Sequence, residues 1–312
     1  MKKFRTVFMG TPDFSVPCLA ALADKVEIIG VVTQPDKPKG RGQKLLPPPV
    51  KKFALAHDME VYQPLKVKAD DFAAKLEEMA PDLIIVVAFG QILSKRILDI
   101  PKYGCINVHA SLLPRYRGAA PMQWAIINGE TKTGVTTMLM DEGLDTGDML
   151  LKREIEITPE MTLEELHDRM MNIGAEVLID TLEALSEDKL TPQKQDDSLS
   201  NYAPMIGKDT GRIDWQKSAA DIHNLVRGLN SWPGAYTYLN EGKYKIWRTK
   251  VINEDSSKFT AGEIISADKT GIKVATGEGF ILITEIQAPN KKKMSAFDYL
   301  NGHGLRLPAC FK

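Results

Sequence analysis

DLIIVVA, residues 82–88, contains an unbroken apolar run at 83–88 that is rich in β-branched residues. A strand with apolar residues on both faces is typical of a sheet that helices cover on both sides. Further largely apolar runs occupy residues 4–9, 26–33 and 104–109, and segments with helical spacing separate them at residues 17–22, 53–57 and 70–79. This alternation predicts an α/β domain with a mostly parallel, Rossmann-like sheet.

The pattern changes along the second half of the chain. Two further strands at residues 135–140 and 149–157 flank a turn, and the capping box Thr162-Leu163-Glu164-Glu165 begins a helix that continues to about residue 185. Residues 189–205 are polar and are interpreted as a linker. A short helix at 219–229 and five short strands follow, at 235–239, 244–251, 261–267, 271–275 and 280–287. They predict a small OB-like β-barrel, although a half-open sandwich would give the same pattern. The predicted domains are residues 1–188 and 206–312.

Charge is distributed unevenly over the 312 residues. The formal net charge is −1, but residues 206–312 carry 16 Lys and Arg against 11 Asp and Glu, a net charge of +5. Such a basic half indicates a polyanionic partner, or a chance clustering of charge. The three cysteines form no CxxC pair, and no apolar run has the length of a membrane span. We therefore expect a cytoplasmic protein without membrane contact, and no feature requires more than a monomer.

Polar side chains appear where the fourth predicted strand ends. Asn107 and His109 are two residues apart, so they share one face of the strand and point into the crevice at its carboxyl end. An amide can donate to a developing oxyanion, and an imidazole can relay a proton near neutral pH. Asp145, in the turn at residues 143–148, supplies a carboxylate to orient that imidazole. These groups suit acyl transfer onto an amine without a covalent intermediate. Alternatively, Asn107 is a turn residue and His109 a hydrogen-bonded core histidine.

Other kinds of site are less well supported. The five histidines show no paired ligand spacing and the cysteines are scattered, so no metal site is predicted. Ser111 lacks the GxSxG context of a nucleophile, and Cys105 lies deeper in its strand, where a structural thiol is expected. The glycine turn at residues 10–14 (GTPDF) lacks GxGxxG, which favours a strand-to-helix turn over a dinucleotide site.

Together these motifs resemble those of the formyltetrahydrofolate-dependent formyltransferases. The resemblance rests on NVHASLLP at 107–114 and LDTG at 144–147, and it extends over the whole chain through FMGTPDF at 8–14, QPDKP at 34–38, GRG at 40–42 and WPGAY at 232–236. It implies that Asn107, His109 and Asp145 are catalytic and that 10-formyltetrahydrofolate is the formyl donor. The residues implied to contact the folate are Phe89, Gly90, Gln91, Ile92 and Leu93, which line the pterin pocket, and Ser111, Leu112, Leu113 and Pro114.

A basic loop follows the second predicted strand. Residues 36–50 read DKPKGRGQKLLPPPV, a composition that also suits an ordinary solvated loop. The resemblance is to the members of the superfamily that act on tRNA, and it implies that this loop approaches an acceptor stem. Arg41 would then reach the stem end, and the residues expected to hold phosphates are Lys37, Lys39 and Lys44, with Lys291, Lys292 and Lys293 extending the track.

The implied reaction is formylation of the α-amino group of an initiator methionyl-tRNA. A formyltransferase acting on an amino-sugar nucleotide would use the same three catalytic residues. A non-catalytic RNA-binding or folate-sensing protein is the other alternative. The basic loop and the lysine run favour RNA over a sugar nucleotide, and the intact catalytic residues argue against a pure binder.

Overall fold

The computed structural model of the chain describes residues 2–39, 44–303 and 305–312. The chain forms two compact units: Met1–Gly118, Thr133–Ile155 and His167–Ala203 make the first, and Ala119–Lys132, Glu156–Leu166 and Pro204–Lys312 the second. The strands are β1 (Arg5–Gly10), β2 (Glu27–Val32), β3 (Lys37–Lys39), β4 (Lys44–Leu46), β5 (Val61–Tyr62), β6 (Leu83–Val87), β7 (Cys105–His109), β8 (Arg117–Gly118), β9 (Lys132–Leu139), β10 (Met149–Glu156), β11 (Tyr202–Ala203), β12 (Ala235–Leu239), β13 (Gly242–Ile252), β14 (Ile264–Asp268), β15 (Gly271–Ala275), β16 (Phe280–Gln287) and β17 (Met294–Ser295). The helices are α1 (Val16–Leu22), α2 (Pro49–Ala56), α3 (Asp70–Met79), α4 (Lys95–Leu98), α5 (Pro121–Ile127), α6 (Leu163–Ser186), α7 (Ala219–Gly228) and α8 (Ala296–His303).

A seven-stranded sheet forms the centre of the first unit. Its order is β10-β9-β7-β6-β1-β2-β5; β1 is parallel to β2 and β6, β7 is parallel to β6, and β9 is antiparallel to β7. The strands are buried on both faces, as Phe8, Ile85 and Ile106 illustrate. The chain extends the sheet from β1 to β2 on one side and returns to β6 on the other, so the carboxyl ends of β1 and β6 form a topological switch point. The predicted α/β class is confirmed.

A two-stranded hairpin replaces the exposed loop expected after β2. Strands β3 and β4 pair antiparallel, with Lys37 opposite Leu46 and Lys39 opposite Lys44. Helix α2 then begins at Pro49, earlier than its apolar spacing indicates, because a proline at the first helical position needs no hydrogen-bond partner for its missing N–H. Residues 40–43, which include Arg41, lie outside the described residues.

The second unit contains an antiparallel sheet of order β12-β13-β16-β15-β14, with β17 paired to β16. Its two edge strands are joined by the last residues of the chain. The backbones of Tyr238 and Lys312 exchange hydrogen bonds of 3.0 and 2.8 Å, while Phe311 N donates to Gly262 O at 2.8 Å and Ile264 N donates to Ala309 O at 2.9 Å. This segment closes the sheet, which gives the small β-barrel unit that the sequence predicts.

The polar segment interpreted as a linker is partly built into the first unit, which extends to Ala203. Gln193 forms an antiparallel bridge with Met149, and β11 pairs parallel with β8. The segment is polar because its partners are loop backbone groups and charged side chains rather than an apolar core. The domain boundaries at 188 and 206 stay a prediction.

The helix that precedes this segment begins as expected. Thr162 N donates to Glu165 Oε2 at 2.8 Å, and Glu165 N donates to Thr162 Oγ1 at 3.4 Å, which confirms the capping box. None of the helices within residues 2–39, 44–303 and 305–312 combines the length and apolar character needed to cross a membrane.

Candidate active site

Asn107 and His109 lie on β7, in the interior of the central sheet. Asn107 is opposite Val86 of β6 and Met138 of β9, and His109 is opposite Thr136. Alternation along the strand places both side chains on one face. His109 is only 6% exposed, whereas Asn107 is half-buried. Over the part of the chain that the structure describes, the Asn107 side-chain amide makes no hydrogen bond to protein, so it is available to a ligand.

The imidazole of His109 faces a polar group at each nitrogen. Nε2 lies 2.9 Å from the carbonyl oxygen of Tyr116, and Nδ1 lies 3.7 Å from Oδ2 of Asp145. A carbonyl only accepts hydrogen bonds, so Nε2 carries a proton and donates it. Nδ1 is therefore the nitrogen that faces the Asp145 carboxylate.

Asp145 reaches His109 from a turn that is held at several points. The residue has φ 54°, and its Oδ2 accepts a 2.8 Å hydrogen bond from Gly118 N. Gln195 Nε2 donates to the carbonyls of Asp145 and Gly147, both at 2.8 Å. A Cβ at position 147 would lie 1.7 Å from Leu139 O, so only glycine allows this close approach. The structure thus brings together His109 and Asp145, two residues that the sequence analysis chose from separate segments.

The loop after β7 contains the four predicted folate contacts Ser111, Leu112, Leu113 and Pro114. Ser111 is fully buried, and its hydroxyl donates to Arg115 O at 2.6 Å. Leu113 packs with Met138 and Met149, while Leu112 and Pro114 are half-buried. Only the last two therefore offer substantial side-chain surface to a ligand; Ser111 and Leu113 shape the loop.

Two side chains from neighbouring strands hold this loop. Thr136 Oγ1 accepts from Leu113 N at 3.1 Å and donates to Ser111 O at 2.7 Å. Lys152 Nζ donates to Leu113 O, and burial of this ammonium lowers the pKa of Lys152 below its usual value. The loop is fixed by polar contacts that the sequence does not reveal.

The second group of predicted folate contacts, residues 89–93, follows β6 at the switch point. Phe89 is buried, and its carbonyl accepts from Thr11 Oγ1 at 2.9 Å and Gln34 Nε2 at 3.3 Å. Gln91 Oε1 accepts from Val67 N at 2.7 Å, and Leu93 is buried. Gly90 has φ 84° and is exposed, and Ile92 is 79% exposed. Three residues anchor the segment, while Gly90 and Ile92 present it to solvent.

The predicted tRNA contacts are basic residues in both units. Lys37 and Lys44 are exposed on the β3–β4 hairpin, and Lys39 stands opposite Lys44 in its register. Lys291, Lys292 and Lys293 are exposed after β16. Lys293 Nζ lies 2.9 Å from Glu285 Oε2, so part of its charge is already neutralised. Arg41 falls outside the described residues.

Sequence reasoning missed Tyr116, Gly118, Thr136 and Gln195, which hold the site through hydrogen bonds. The first two act through backbone atoms, which carry no residue-specific signal. Thr136 and Gln195 are isolated polar residues with no distinctive spacing. No pattern in the sequence would have found them.

The chain is similar to known proteins over nearly its whole length. A family model described as formyl transferase matches residues 4–182, and one described as formyl transferase, C-terminal domain matches residues 205–304. A protein of Clostridioides difficile named methionyl-tRNA formyltransferase is 56% identical, with 96% of this chain and 97% of that protein covered. A protein of the same name from Trichlorobacter lovleyi is 53% identical, with 98% and 96% covered.

Solved structures share the fold at low identity. A sugar 3N-formyl transferase, WlaRD, crystallised in the presence of dTDP and 5-N-formyl-THF, matches with a TM-score of 0.68 at 21% identity and covers 94% of this chain and 100% of its own. HypX from Aquifex aeolicus in complex with tetrahydrofolic acid matches with a TM-score of 0.61 at 18% identity, over 96% of this chain and 47% of its own. The two family models and the close relatives confirm the resemblance drawn from NVHASLLP and LDTG: the chain belongs to the formyl transferase family.

Proposed function

We propose that the protein transfers the formyl group of 10-formyltetrahydrofolate to the α-amino group of methionine on an initiator methionyl-tRNA, in the cytoplasm. The observation that carries the proposal is the similarity, over nearly the whole chain, to proteins named methionyl-tRNA formyltransferase. The geometry of Asn107, His109 and Asp145 supports the chemistry, because it supplies donors for an oxyanion and a base at one strand end.

The acceptor amine requires little activation. An α-amino group has an unperturbed pKa of about 7.7–8.0, so a substantial fraction is neutral near pH 7. The amide of Asn107 and the protonated Nδ1 of His109 donate to the formyl oxygen as it gains negative charge. Asp145 holds the imidazolium in place and takes part in removing the proton from the attacking nitrogen. The folate, when bound, supplies the formyl carbon and leaves as an amine, which regains a proton.

The folate fits the two segments at the carboxyl ends of β6 and β7. Ala88 and Gly90 are exposed at the switch point, and their backbone provides edges that can hydrogen-bond a pterin ring. Leu112 and Pro114 supply half-buried apolar surface in the loop that follows His109. We assign Phe89, Gly90, Gln91, Ile92 and Leu93 to the pterin side, with Phe89 and Leu93 as buried anchors.

The basic residues of the hairpin and of the second unit are assigned to the tRNA. Lys37 and Lys44 are exposed, which suits phosphate contacts. Arg41 is proposed to reach the end of the acceptor stem, where frayed bases are accessible. Arg41→Ala should raise the KM for methionyl-tRNA and leave the KM for the folate unchanged, with the exposed Lys3→Ala as control. Unchanged tRNA kinetics would remove Arg41 from the interface.

The test of the function is a formyl-transfer assay with labelled donor. Purified protein is incubated with 10-formyltetrahydrofolate labelled in the formyl group and, in parallel, with methionyl-tRNA or a dTDP-linked amino sugar. Label is expected in the tRNA fraction, and the Asn107→Ala variant should lose most of it. Transfer to the amino sugar alone would favour the other class of formyltransferase.

A further inference from the structure

Both hydrogen-bond partners that orient the catalytic pair come from one short segment, residues 116–118. Tyr116 O accepts from His109 Nε2 at 2.9 Å, and Gly118 N donates to Asp145 Oδ2 at 2.8 Å. The positions of the imidazole and the carboxylate therefore depend on where these three residues lie. Strand β8 has only two residues, too few to hold itself in place.

Residues 195–203, from the segment interpreted as a linker, hold β8. Asn201 Oδ1 accepts from Tyr116 N at 2.5 Å, and Asn201 O accepts from Arg117 N at 3.0 Å. Tyr202 and Ala203 then pair in parallel with Arg117 and Gly118. The fit is close, because a Cβ at Gly118 would lie 2.7 Å from Ala203 O.

Gln195 joins this segment to the turn that carries Asp145. Its Nε2 donates to the carbonyls of Asp145 and Gly147, both at 2.8 Å. Its Oε1 accepts from Arg117 at Nε, 3.0 Å, and at Nη2, 2.8 Å. Nη2 of Arg117 also pairs with Asp197 at 2.7 Å. One amide thus connects the segment that orients His109 with the turn that supplies Asp145, and it uses both its donor and its acceptor ends.

We propose that Gln195 is a positioning residue for formyl transfer, acting on His109 and Asp145 through Arg117 and the 145–147 turn. The inference rests on the proposed function. Only an amide serves both sides, since the two turn carbonyls need donors and the guanidinium needs an acceptor. Loss of the amide leaves two carbonyls and the buried Arg117 without a shared partner, which loosens the turn relative to β8.

Two variants separate positioning from general stability. Gln195→Met keeps the volume but removes both polar ends, and Gln195→Glu keeps the contact with Arg117 but turns a carboxylate toward two carbonyls. Both are expected to lower kcat by between about 10-fold and 100-fold with the KM for donor and tRNA within about twofold, because a misplaced catalytic group acts on the chemical step. When the introduced carboxylate is protonated, its O–H can again donate to one of the two turn carbonyls. The activity of Gln195→Glu relative to the parent protein should therefore rise as the pH is lowered, an effect absent from Gln195→Met.

Gln193→Ala is the matched control, because Gln193 is exposed in the same segment and contacts Met149 through its backbone. Gln193→Ala should have the kcat, KM and Tm of the parent protein. A parent-like kcat in Gln195→Met, or a raised KM at unchanged kcat, would overturn the proposal. A fall in kcat that accompanies an equal loss of Tm in both Gln195 variants, without the pH effect, would also overturn it.

A second readout does not depend on formyl transfer. In ¹⁵N-labelled protein, the Nε2 proton of His109 should exchange slowly with solvent, since it is buried and donates to Tyr116 O. Gln195→Met should accelerate this exchange and Gln193→Ala should not. Unchanged exchange in Gln195→Met contradicts the inference even if the parent protein is active. A parent protein that formylates no methionyl-tRNA, yet shows the exchange difference, contradicts only the proposed function.

Discussion

Asn107 and His109 stand on the same face of β7 but under different constraints. The imidazole contacts Tyr116 and Asp145, whereas the amide of Asn107 has no protein partner among the described residues. A polar group without a protein partner at a strand end is costly to keep unless a ligand or water satisfies it. We propose that this amide is the group that donates to the formyl oxygen.

Asn107→Ala should lower kcat by about two to three orders of magnitude, because removing one oxyanion donor costs about 2.7–4 kcal/mol of transition-state stabilisation. Single-turnover formylation of methionyl-tRNA measures this effect directly. Thermal unfolding should be almost unchanged, and the exposed Asn253→Ala serves as control. Near-normal turnover in Asn107→Ala would exclude the amide from the mechanism.

Gly147→Ala should damage the Asp145 turn. The new methyl group would lie 1.7 Å from Leu139 O, and a backbone atom of a central strand cannot move away cheaply. We expect a lower Tm and a loss of activity in formylation assays. Gly207→Ala, whose Cβ would meet nothing closer than Thr210 Oγ1 at 3.9 Å, should leave both unchanged. If Gly147→Ala lowered Tm and activity as little as Gly207→Ala does, the turn would have moved to make room for the new methyl group.

At the scale of the element, α7 carries a buried histidine. His223 Nδ1 lies 2.9 Å from Thr249 Oγ1, Nε2 lies 3.2 Å from Pro159 O, and the charged groups near it are Glu160 and Arg227. Burial outweighs the favourable contacts and lowers the pKa of His223 below its usual value. The folded protein therefore prefers this residue neutral.

The second unit should lose stability in mild acid. Below pH of about 6.5 the unfolded chain protonates His223 and the folded chain does not, so the free energy of unfolding falls by up to about 1.4 kcal/mol per pH unit until the lower, folded pKa is reached. The second unit contains all four tryptophans of the chain, Trp124, Trp215, Trp232 and Trp247. Their fluorescence during urea unfolding at pH 7.5, 6.5 and 5.5 therefore measures the free energy of unfolding of this unit. His223→Asn should show a shallower pH dependence. If the free energy of unfolding varied with pH in the same way in the parent protein and in His223→Asn, this account would be contradicted.

Elements with a strong periodic pattern were predictable. Residues 70–79, 235–239, 271–275 and 280–287 form α3, β12, β15 and β16 with the predicted bounds. The sequence pattern did not predict the β3–β4 hairpin, β5, β8, β11, β17, α4, α5 or α8. The missed strands have two or three residues each, too few to show a period, and proline obscures the start of α2.

At the scale of the whole molecule, the end of the chain completes the second unit. Phe311 is 3% exposed and its ring lies 5.6 Å from that of Trp215, in a stacked arrangement. Phe311→Ala should destabilise this unit by about 3–5 kcal/mol, because it leaves a cavity at the point where the sheet closes. Tryptophan-detected urea unfolding measures the loss, and the exposed Lys312→Ala, which keeps the backbone bonds, is the control. A loss below about 1 kcal/mol would mean that the closure contributes little.

The sequence predicted the part of the site that lies on one strand, but not the contacts between residues far apart in the chain. Asn107 and His109 were found because they are neighbours on one strand, and a period of two fixes their common face. The segment that orients His109 and Asp145, within residues 193–203, was interpreted as a linker because it is polar. Its contacts with residues 116–118 and 145–149 are long-range, and polar side chains give no sign of which distant carbonyl they will meet.

The pairing of β8 with β11 also affects how the protein refolds. Tyr116 and Asn201 meet across 85 positions of the chain, and closing so large a loop carries an entropic cost that local helices do not. Helical circular dichroism should therefore recover from denaturant before formyl transfer does. Newly folded molecules would pass through a stage in which the central sheet is assembled but the enzyme is still inactive.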